Sequence, residues 1–237
     1  MKAKPFPQLI PGLCIALGFL LLGLCIRGGM NDFKSFDRVV TVKGLAEMEV
    51  PADRVIWPLM YKEIGNDLSA LYNVIGQKNR TVIDFLQKNG IEASEISVSA
   101  PEIIDMEAER YNENKPLYRY NVTSVLTVTS DKVEKIRKLM SEQTDLLKKG
   151  IAVTAGDYRY SVQYLFTRLN DIKPQMIEEA TRNARASAEK FARDSESKLG
   201  KIRTATQGQF SINDRDANTP HIKTIRVVTT IEYFLKD

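Results

Sequence analysis

Eighteen consecutive residues, Leu9 to Ile26 (LIPGLCIALGFLLLGLCI), carry no charge. At about 1.5 Å per residue, such a run reaches roughly 27 Å as a helix, close to the ~30 Å hydrocarbon core of a bilayer. A helix apolar on every side has no face to offer water, so it calls for either a surrounding core or lipid. Everything after Arg27 has the mixed composition of a globular domain. The chain is therefore read in four parts. Residues 1–8 form a cytoplasmic n-region and residues 9–26 a transmembrane signal anchor carrying Leu9, Phe19, Leu22 and Ile26. Residues 27–38 form a short tether, and residues 39–237 the folded domain.

Cleavage and lipidation compete with the anchor. Lys2 and Lys4 suit the n-region of a signal peptide. The apolar run is longer than a usual h-region, and no Ala-x-Ala-like triplet follows it, so cleavage at Gly28 or Gly29 is the weaker reading. A lipoprotein site needs a small residue before its cysteine, whereas Leu24 precedes Cys25. Lys2 and Lys4 on one side against Arg27 on the other favour a cytoplasmic N-terminus. In a bacterium this implies a single-pass protein of the inner (cytoplasmic) membrane, with its domain in the periplasm or outside. Release into the periplasm after cleavage is the alternative.

Charge discounts nucleic acid as a partner. Lys2, Lys4 and Arg27 are three of the 34 cations, which leaves 31 against 30 acids in the rest of the chain. A nucleic-acid surface needs a basic excess, and the domain is nearly neutral. Both cysteines, Cys14 and Cys25, lie in the apolar run, so the domain has no disulfide framework, thiolate nucleophile or thiolate metal site. With one histidine, His221, multi-histidine metal sites are excluded, and a Ser-His-Asp arrangement would have to use that residue. No cofactor is expected, and no catalytic, cofactor-binding or metal-ligating residue is assigned.

Hydrophobic periodicity alternates strand pairs with helices, an α+β pattern. Val39–Val50 alternates at period two, and Arg54–Ile64 follows a Pro-Ala-Asp turn, with Pro58 hinting at an edge or bulge. A helix runs from an Asn66-Asp67 cap to Asn89, with a stripe of Leu68, Leu71, Tyr72, Ile75, Val82, Ile83 and Leu86, and Gly90 ends it. Strands are expected at about 94–107 and 117–130, then a bridging helix over 131–149 opened by Asp131. The order then recurs, with strands at 151–154 and 158–169, a helix over 171–199, and strands at 201–212 and 222–235. Asp53 and Asp157, and the helix starts Asp67 and Asp171, share one offset. The helix ends Gly90 and Gly200 are six residues further apart than that. This predicts a duplicated β-β-α-β-β unit, with halves of about 39–130 and 151–237, preceded by one N-terminal transmembrane helix.

The helix expected over 171–199 sets small residues, including Ala180, Ala184, Ala188 and Ala192, opposite a charged face with Glu178–Arg182 and Glu189–Arg193 pairs. Pairs at this spacing contribute only about 0.2–0.5 kcal/mol each. The alanines allow a close neighbour, which is either the helix's own sheet or another subunit.

Four segments resemble the SIMPL-domain family: VTVKGLAEMEVPAD (40–53), KPLYRYNVTSVLTVTSDKVEKI (115–136), IEEATRNARASAEKFARDSESKLGKI (177–202) and TIRVVTTIEYFL (224–235). Their order and spacing carry the likeness, since each motif alone is loose. The resemblance implies an α+β subunit, ring-like or barrel-like homo-oligomers, and, for some bacterial relatives, a role in oxidative-stress tolerance. It brings no catalytic residues.

The acidic stretch 102–113 (EIIDMEAERYNE) places Glu107, Glu109 and Glu113 near a hairpin tip closed by Asn114-Lys115-Pro116. Such carboxylates could hold a cation, act as acid and base, or stand in solvent. Glu107, Glu109 and Tyr111, with Ala180, Ala184 and Ala188, are the residues expected at oligomer contacts. His221 near Asp214 and Asp216 sits in a turn-rich loop. Tyr158, Tyr160 and Tyr164 are expected on one strand face. The leading expectation is a membrane-anchored, non-enzymatic envelope protein that self-assembles as a scaffold, chaperone-like or stress-related platform. The alternatives are an envelope hydrolase or binding protein using the acidic hairpin, and an adaptor for another envelope or membrane protein.

Overall fold

The computed structural model describes residues 9–35, 38–108, 116–154 and 158–236; within 9–35 it describes the side chains of residues 12 and 14–26 only. Helix α1 (Leu9–Ser35) precedes strands β1 (Val39–Pro51) and β2 (Arg54–Gly65), helix α2 (Leu68–Lys88), and strands β3 (Ile96–Val98), β4 (Glu102–Asp105) and β5 (Tyr120–Ser130). Helices α3 (Val133–Glu142) and α4 (Thr144–Lys148) follow, then β6 (Gln163–Leu165), α5 (Leu169–Asp194), β7 (Lys198–Gln207), β8 (Ser211–Asp214) and β9 (Ile222–Lys236). The chain forms two compact units: unit I, of Met1–Met48, Ile172–Ser211 and Arg226–Asp237, and unit II, of Glu49–Asp171 and Ile212–Ile225.

Unit II is built on an antiparallel sheet in the order β3-β5-β2-β6, with β4 also paired to β5. The β2–β5 ladder runs unbroken from Val55 opposite Ser130 to Gly65 opposite Tyr120. Period-two alternation turns Val55, Trp57, Leu59 and Tyr61 into one core with Leu71, Ile75, Val82, Phe85 and Leu86 of α2 and Ile136, Leu139 and Leu146 of α3 and α4. Each fully buried aliphatic chain contributes about 1.5–3 kcal/mol. The β6 ladder stops at Ile56, two residues before Pro58, which has no N–H to extend it. Helix α2 starts as its sequence dictates: the Asp67 carboxylate accepts from Ser69 N at 2.8 Å and Ala70 N at 3.1 Å.

Unit I stacks α5 on a sheet ordered β1-β9-β7. Met176, Ala180, Ala184, Ala188 and Ala192 recur every fourth residue and are buried to the last few per cent. The reason is the distance of approach. A Cβ added to Gly44 of β1 would lie 1.9 Å from the Ala180 carbonyl oxygen and 2.4 Å from the Ala184 amide nitrogen. Only glycine on the strand and alanine on the helix allow that separation. The small-residue face therefore meets the chain's own sheet, and Ala180, Ala184 and Ala188 have no surface left for a second subunit.

Three helices end in the same way. In α2, Ile91 N donates to Leu86 O and Gly90 N to Gln87 O, with Gly90 at φ 74°. Helix α4 repeats this with Ile151, Gly150 and Leu146–Leu147, and α5 with Ser197, Glu196 and Ala192–Arg193. All are Schellman caps, but in α5 the left-handed position is held by Glu196 at φ 53°.

The α+β class and the two sheets agree with the sequence pattern, but the duplication is less regular than expected. Residues 151–154 form no strand: Ile151 is taken by the α4 cap, and Thr154 N makes an isolated bond to Met60 O at 2.8 Å. Only Gln163–Leu165 of the expected strand over 158–169 pairs, and it pairs with β2. Asp157 lies outside the described residues. Conversely, β1 joins the sheet of β7 and β9. Leu235 N donates to Arg38 O and Ala52 N to His221 O, bracketing an antiparallel run. The bridging helix is two helices, and Asp131 does not cap the first. The expected strand over 94–107 is divided by an extra residue at Ser99–Pro101, because four steps from Val98 to Glu102 oppose three on β5. Helix α5 stops at Asp194, so Gly200 lies in β7, where a Cβ would approach Phe234 O to 2.7 Å.

Candidate functional site

One end of the unit II sheet gathers four chain segments: the Pro-Ala-Asp turn before β2, the residues leaving β5, those leaving β6, and the short 3-10 turn Ala93–Glu95 before β3. Between them lies a cleft of about 690 Å³ lined by Asp53, Asp131, Lys132, Glu134, Thr167 and Arg168, among others. A second hollow of about 460 Å³ shares Asp131 and Lys132 and adds Arg54, Glu92 and Glu95.

Asp53 is its best-held side chain, 10% exposed. Its carboxylate accepts from Thr167 N at 2.8 Å, the Thr167 hydroxyl at 3.0 Å, Arg168 N at 3.1 Å and Arg168 Nε at 3.3 Å. Burial alone would raise its pKa. The Thr167 and Arg168 donors outweigh that and hold the carboxyl below the usual range. Arg54 donates to both oxygens of Asp131, at 2.7 and 3.3 Å. Lys132 sits 3.0 Å from both Glu92 and Glu95, and the Ser130 hydroxyl donates to Glu95 at 2.6 Å. Burial works against Glu95 too, yet Ser130, Glu92 N and Lys132 keep its pKa low. These charges satisfy one another across turns distant in sequence. Together these contacts tie the turns at this end of the sheet to one another.

A different surface lies along the start of α2. Leu68, Ser69, Tyr72, Pro101, Ile103 and Val122 line a groove of about 410 Å³ with buried Val122 at its floor and Leu68, Tyr72 and Ile103 uncovered, Tyr72 at 68% and Ile103 at 46%. Leu68 and Tyr72 were expected in the core stripe; they lie at its rim, and Phe85 takes a core place instead.

The expected site residues disperse. Glu107 lies 3.6 Å from Arg119, which also binds Asp105 at 2.8 Å. Arg119 is the main reason the Asp105 pKa is low. Glu109, Tyr111 and Glu113 lie outside the described residues. His221 stacks edge-on against Tyr164, with ring centres 6.1 Å apart, while Asp214 pairs with Lys223. Asp216 accepts from Thr219 and Asn218 within its own turn, first the Thr219 hydroxyl, and its pKa falls to about 2. The three groups thus have separate partners. Tyr158 and Tyr160 form a 3-10 turn, so of the expected tyrosine face only Tyr164 is on a strand. Among the described residues no group of three or more His, Cys, Asp or Glu could hold a metal ion.

In α1, Phe19, Leu22 and Ile26 are exposed, and the Leu9 side chain lies outside the described set. Among the described residues no helix is long and apolar enough to cross a membrane. For α1 that covers the 13 residues 14–26, about 20 Å of helix.

Sequence reasoning missed the Asp53–Thr167–Arg168 and Arg54–Asp131 contacts. The Pro-Ala-Asp turn flagged Asp53, but its partners lie over a hundred residues away. No curated protein matches the chain. Residues 40–232 match the SIMPL family, described as a protein of unknown function (DUF541). That span covers β2 to β8 and all but the ends of β1 and β9, and the chain belongs to the SIMPL family.

Proposed function

We infer that this is a membrane-anchored, non-enzymatic envelope protein whose SIMPL domain self-assembles into a homo-oligomer and serves as a scaffold or interaction platform. Helix α1 holds it in the inner membrane, and the domain stands on the far side. The observation that carries the reading is α1 itself: a charge-free run from Leu9 to Ile26 on which Ile15, Leu17, Phe19, Leu20, Leu21, Leu22, Leu24 and Ile26 are each 54–69% exposed. Large apolar side chains left uncovered along a helix mark an interaction surface or a lipid-facing one. The platform role draws support from the self-satisfied ion pairs of the cleft and the uncovered groove beside α2.

The test is membrane fractionation of the full-length protein, followed by light scattering of the detergent extract. The reading expects the protein to resist carbonate extraction, to be protease-accessible only from the outer side, and to scatter as a multiple of the single-chain mass. Recovery as a soluble chain starting near Gly28, or a monodisperse monomer in detergent, would overturn it.

A further inference from the structure

The outer edge of β1 meets a side chain from α5. Among the described residues β1 pairs only with β9. The Arg38 carbonyl is turned toward β9, where it accepts from Leu235 N at 2.8 Å. Backbone groups of successive strand residues point to opposite edges, so the odd-numbered residues from Val39 onward direct their N–H and C=O away from β9. Burial alternates along β1, and Leu45 falls in that outward row. Such a row is a template on which a further strand can form. At its middle the template is already occupied, because Leu45 O accepts from Asn183 Nδ2 at 2.8 Å. The helix holds Asn183 at that height, since Ala180 and Ala184 on either side of it are the residues that meet Gly44 of β1.

The strand that best fits this edge is β1 of a second copy. Set antiparallel about Leu45, two β1 strands place Lys43 of each opposite Glu47 of the other, and Leu45, 39% exposed, opposite its twin. Neither Lys43 nor Glu47 has an ion-pair partner among the described residues. Opposite charges facing each other across a strand pair stabilise it. All three positions belong to the outward row, so one register supplies both the backbone ladder and the ion pairs. A slip of two residues one way sets Lys43 against Leu45. A slip the other way sets Leu45 against Glu47, and Lys43 against Glu49, which Arg215 already holds at 3.4 Å. We infer that Asn183 is an edge guard: by occupying the Leu45 carbonyl it keeps β1 from adding a second copy of itself. The contact it prevents is isologous, and it is separate from whichever surfaces make the self-assembly proposed above.

The experiment places single cysteines on β1 of the detergent-extracted full-length chain, with Cys14→Ser and Cys25→Ser removing the native thiols. Directly opposed residues in such a ladder stand about 5.5 Å apart at Cα, within disulfide reach. Leu45→Cys reports the two-fold register, and its oxidation to a covalent dimer should be slow while Asn183 is present. Adding Asn183→Ala should speed that oxidation about fivefold, the factor that one net hydrogen bond represents. Asn183→Gln, which keeps an amide donor, should stay nearer the wild-type rate. In the Asn183→Ala background, chains with Lys43→Cys should cross-link to chains with Glu47→Cys faster than to one another. Unchanged far-UV circular dichroism verifies that each variant is folded. The readout is a bond at one residue, so an oligomer made through another surface does not produce it. Oxidation at Leu45→Cys that is already fast with Asn183 in place, or no faster in Asn183→Ala, overturns the guard. Equal cross-linking in all cysteine pairings overturns the register and with it the second copy as the strand excluded.

Discussion

Replacing Gly44 by alanine should destabilise unit I by an amount set by the distance between β1 and α5. The added Cβ would meet Ala180 O at 1.9 Å, Ala184 N at 2.4 Å and the Ala184 Cβ at 2.8 Å. An ordinary contact needs about 3.4 Å or more, so the helix must retreat by roughly 1.5 Å. Overpacking commonly costs about 1–3 kcal/mol, and part of that range reflects side chains that rotate out of the way. Here the obstacles are backbone and Cβ atoms, which places the cost near ~3 kcal/mol. Alanine in a strand recovers about 0.5–1 kcal/mol of backbone entropy relative to glycine. The net loss is about 2–2.5 kcal/mol, or roughly 4–10 °C in Tm for a chain of this size. Calorimetry of the full-length protein in detergent reads it directly. Gly76→Ala in α2 is the matched control, because nothing lies within 4 Å of its new methyl. It should gain close to 1 kcal/mol from helix propensity. If Gly44→Ala melts at or above wild type, α5 does not lie against β1 at the distance described.

Glu196→Gly should stabilise the end of α5 by about 0.5–1 kcal/mol, since glycine adopts the left-handed φ of 53° without a Cβ penalty; a lower Tm would mean that the glutamate side chain contributes more than its strain. Asp53→Asn should cost about 1.5–3 kcal/mol at neutral pH, seen in chemical denaturation. Its folded pKa is depressed, so the contribution is present above the unfolded value of about 4 and fades as pH falls through the folded value. The gap between wild type and variant should therefore close in acid, and a pH-independent gap would rule out the charge as its source. The Asp216 carboxyl should titrate by NMR with a midpoint of about 2, and Thr219→Val should move it up toward the ordinary range. Tyr61→Phe should cost about 1 kcal/mol, because it removes the 2.7 Å bond to Asn79 Oδ1, which the Ser124 hydroxyl also donates to at 3.0 Å.

What was legible in the sequence was local. Asp67 and Gly90 bracket α2 because a cap and a left-handed residue act within one turn, and the alanine repeat of α5 reports its face at fixed spacing. Strand periodicity in β1 and β9 was equally plain, but alternation says which side of a strand is buried and not which strand lies beside it. The placement of β1 with β9 was therefore invisible. Leu199-Gly200 looked like a helix end by analogy with Asn89-Gly90. The cap went to Glu196 because tertiary packing can impose a left-handed φ on a non-glycine residue. Tyr158 and Tyr160 kept period-two spacing with Tyr164 and yet formed a 3-10 turn, since spacing over so few residues fits either. The cleft was least legible of all. Asp53 and Arg54 are adjacent, but the groups that hold them come from residues 131 and 167–168.

The bond from Leu235 N to Arg38 O joins the first strand of the domain to its last. A chain made or threaded through a membrane from its N-terminus must hold β1 unpaired until β9 arrives, while the β2–β5 ladder can close long before. Contacts so far apart in sequence are slow to form and leave a strand open to wrong partners meanwhile. Unit II, which has a core of its own, is thus the natural early folder. Unit I is hostage to completion of β9, so a ribosome stalled before residue 222 would release a half-folded chain with its first strand still seeking a mate.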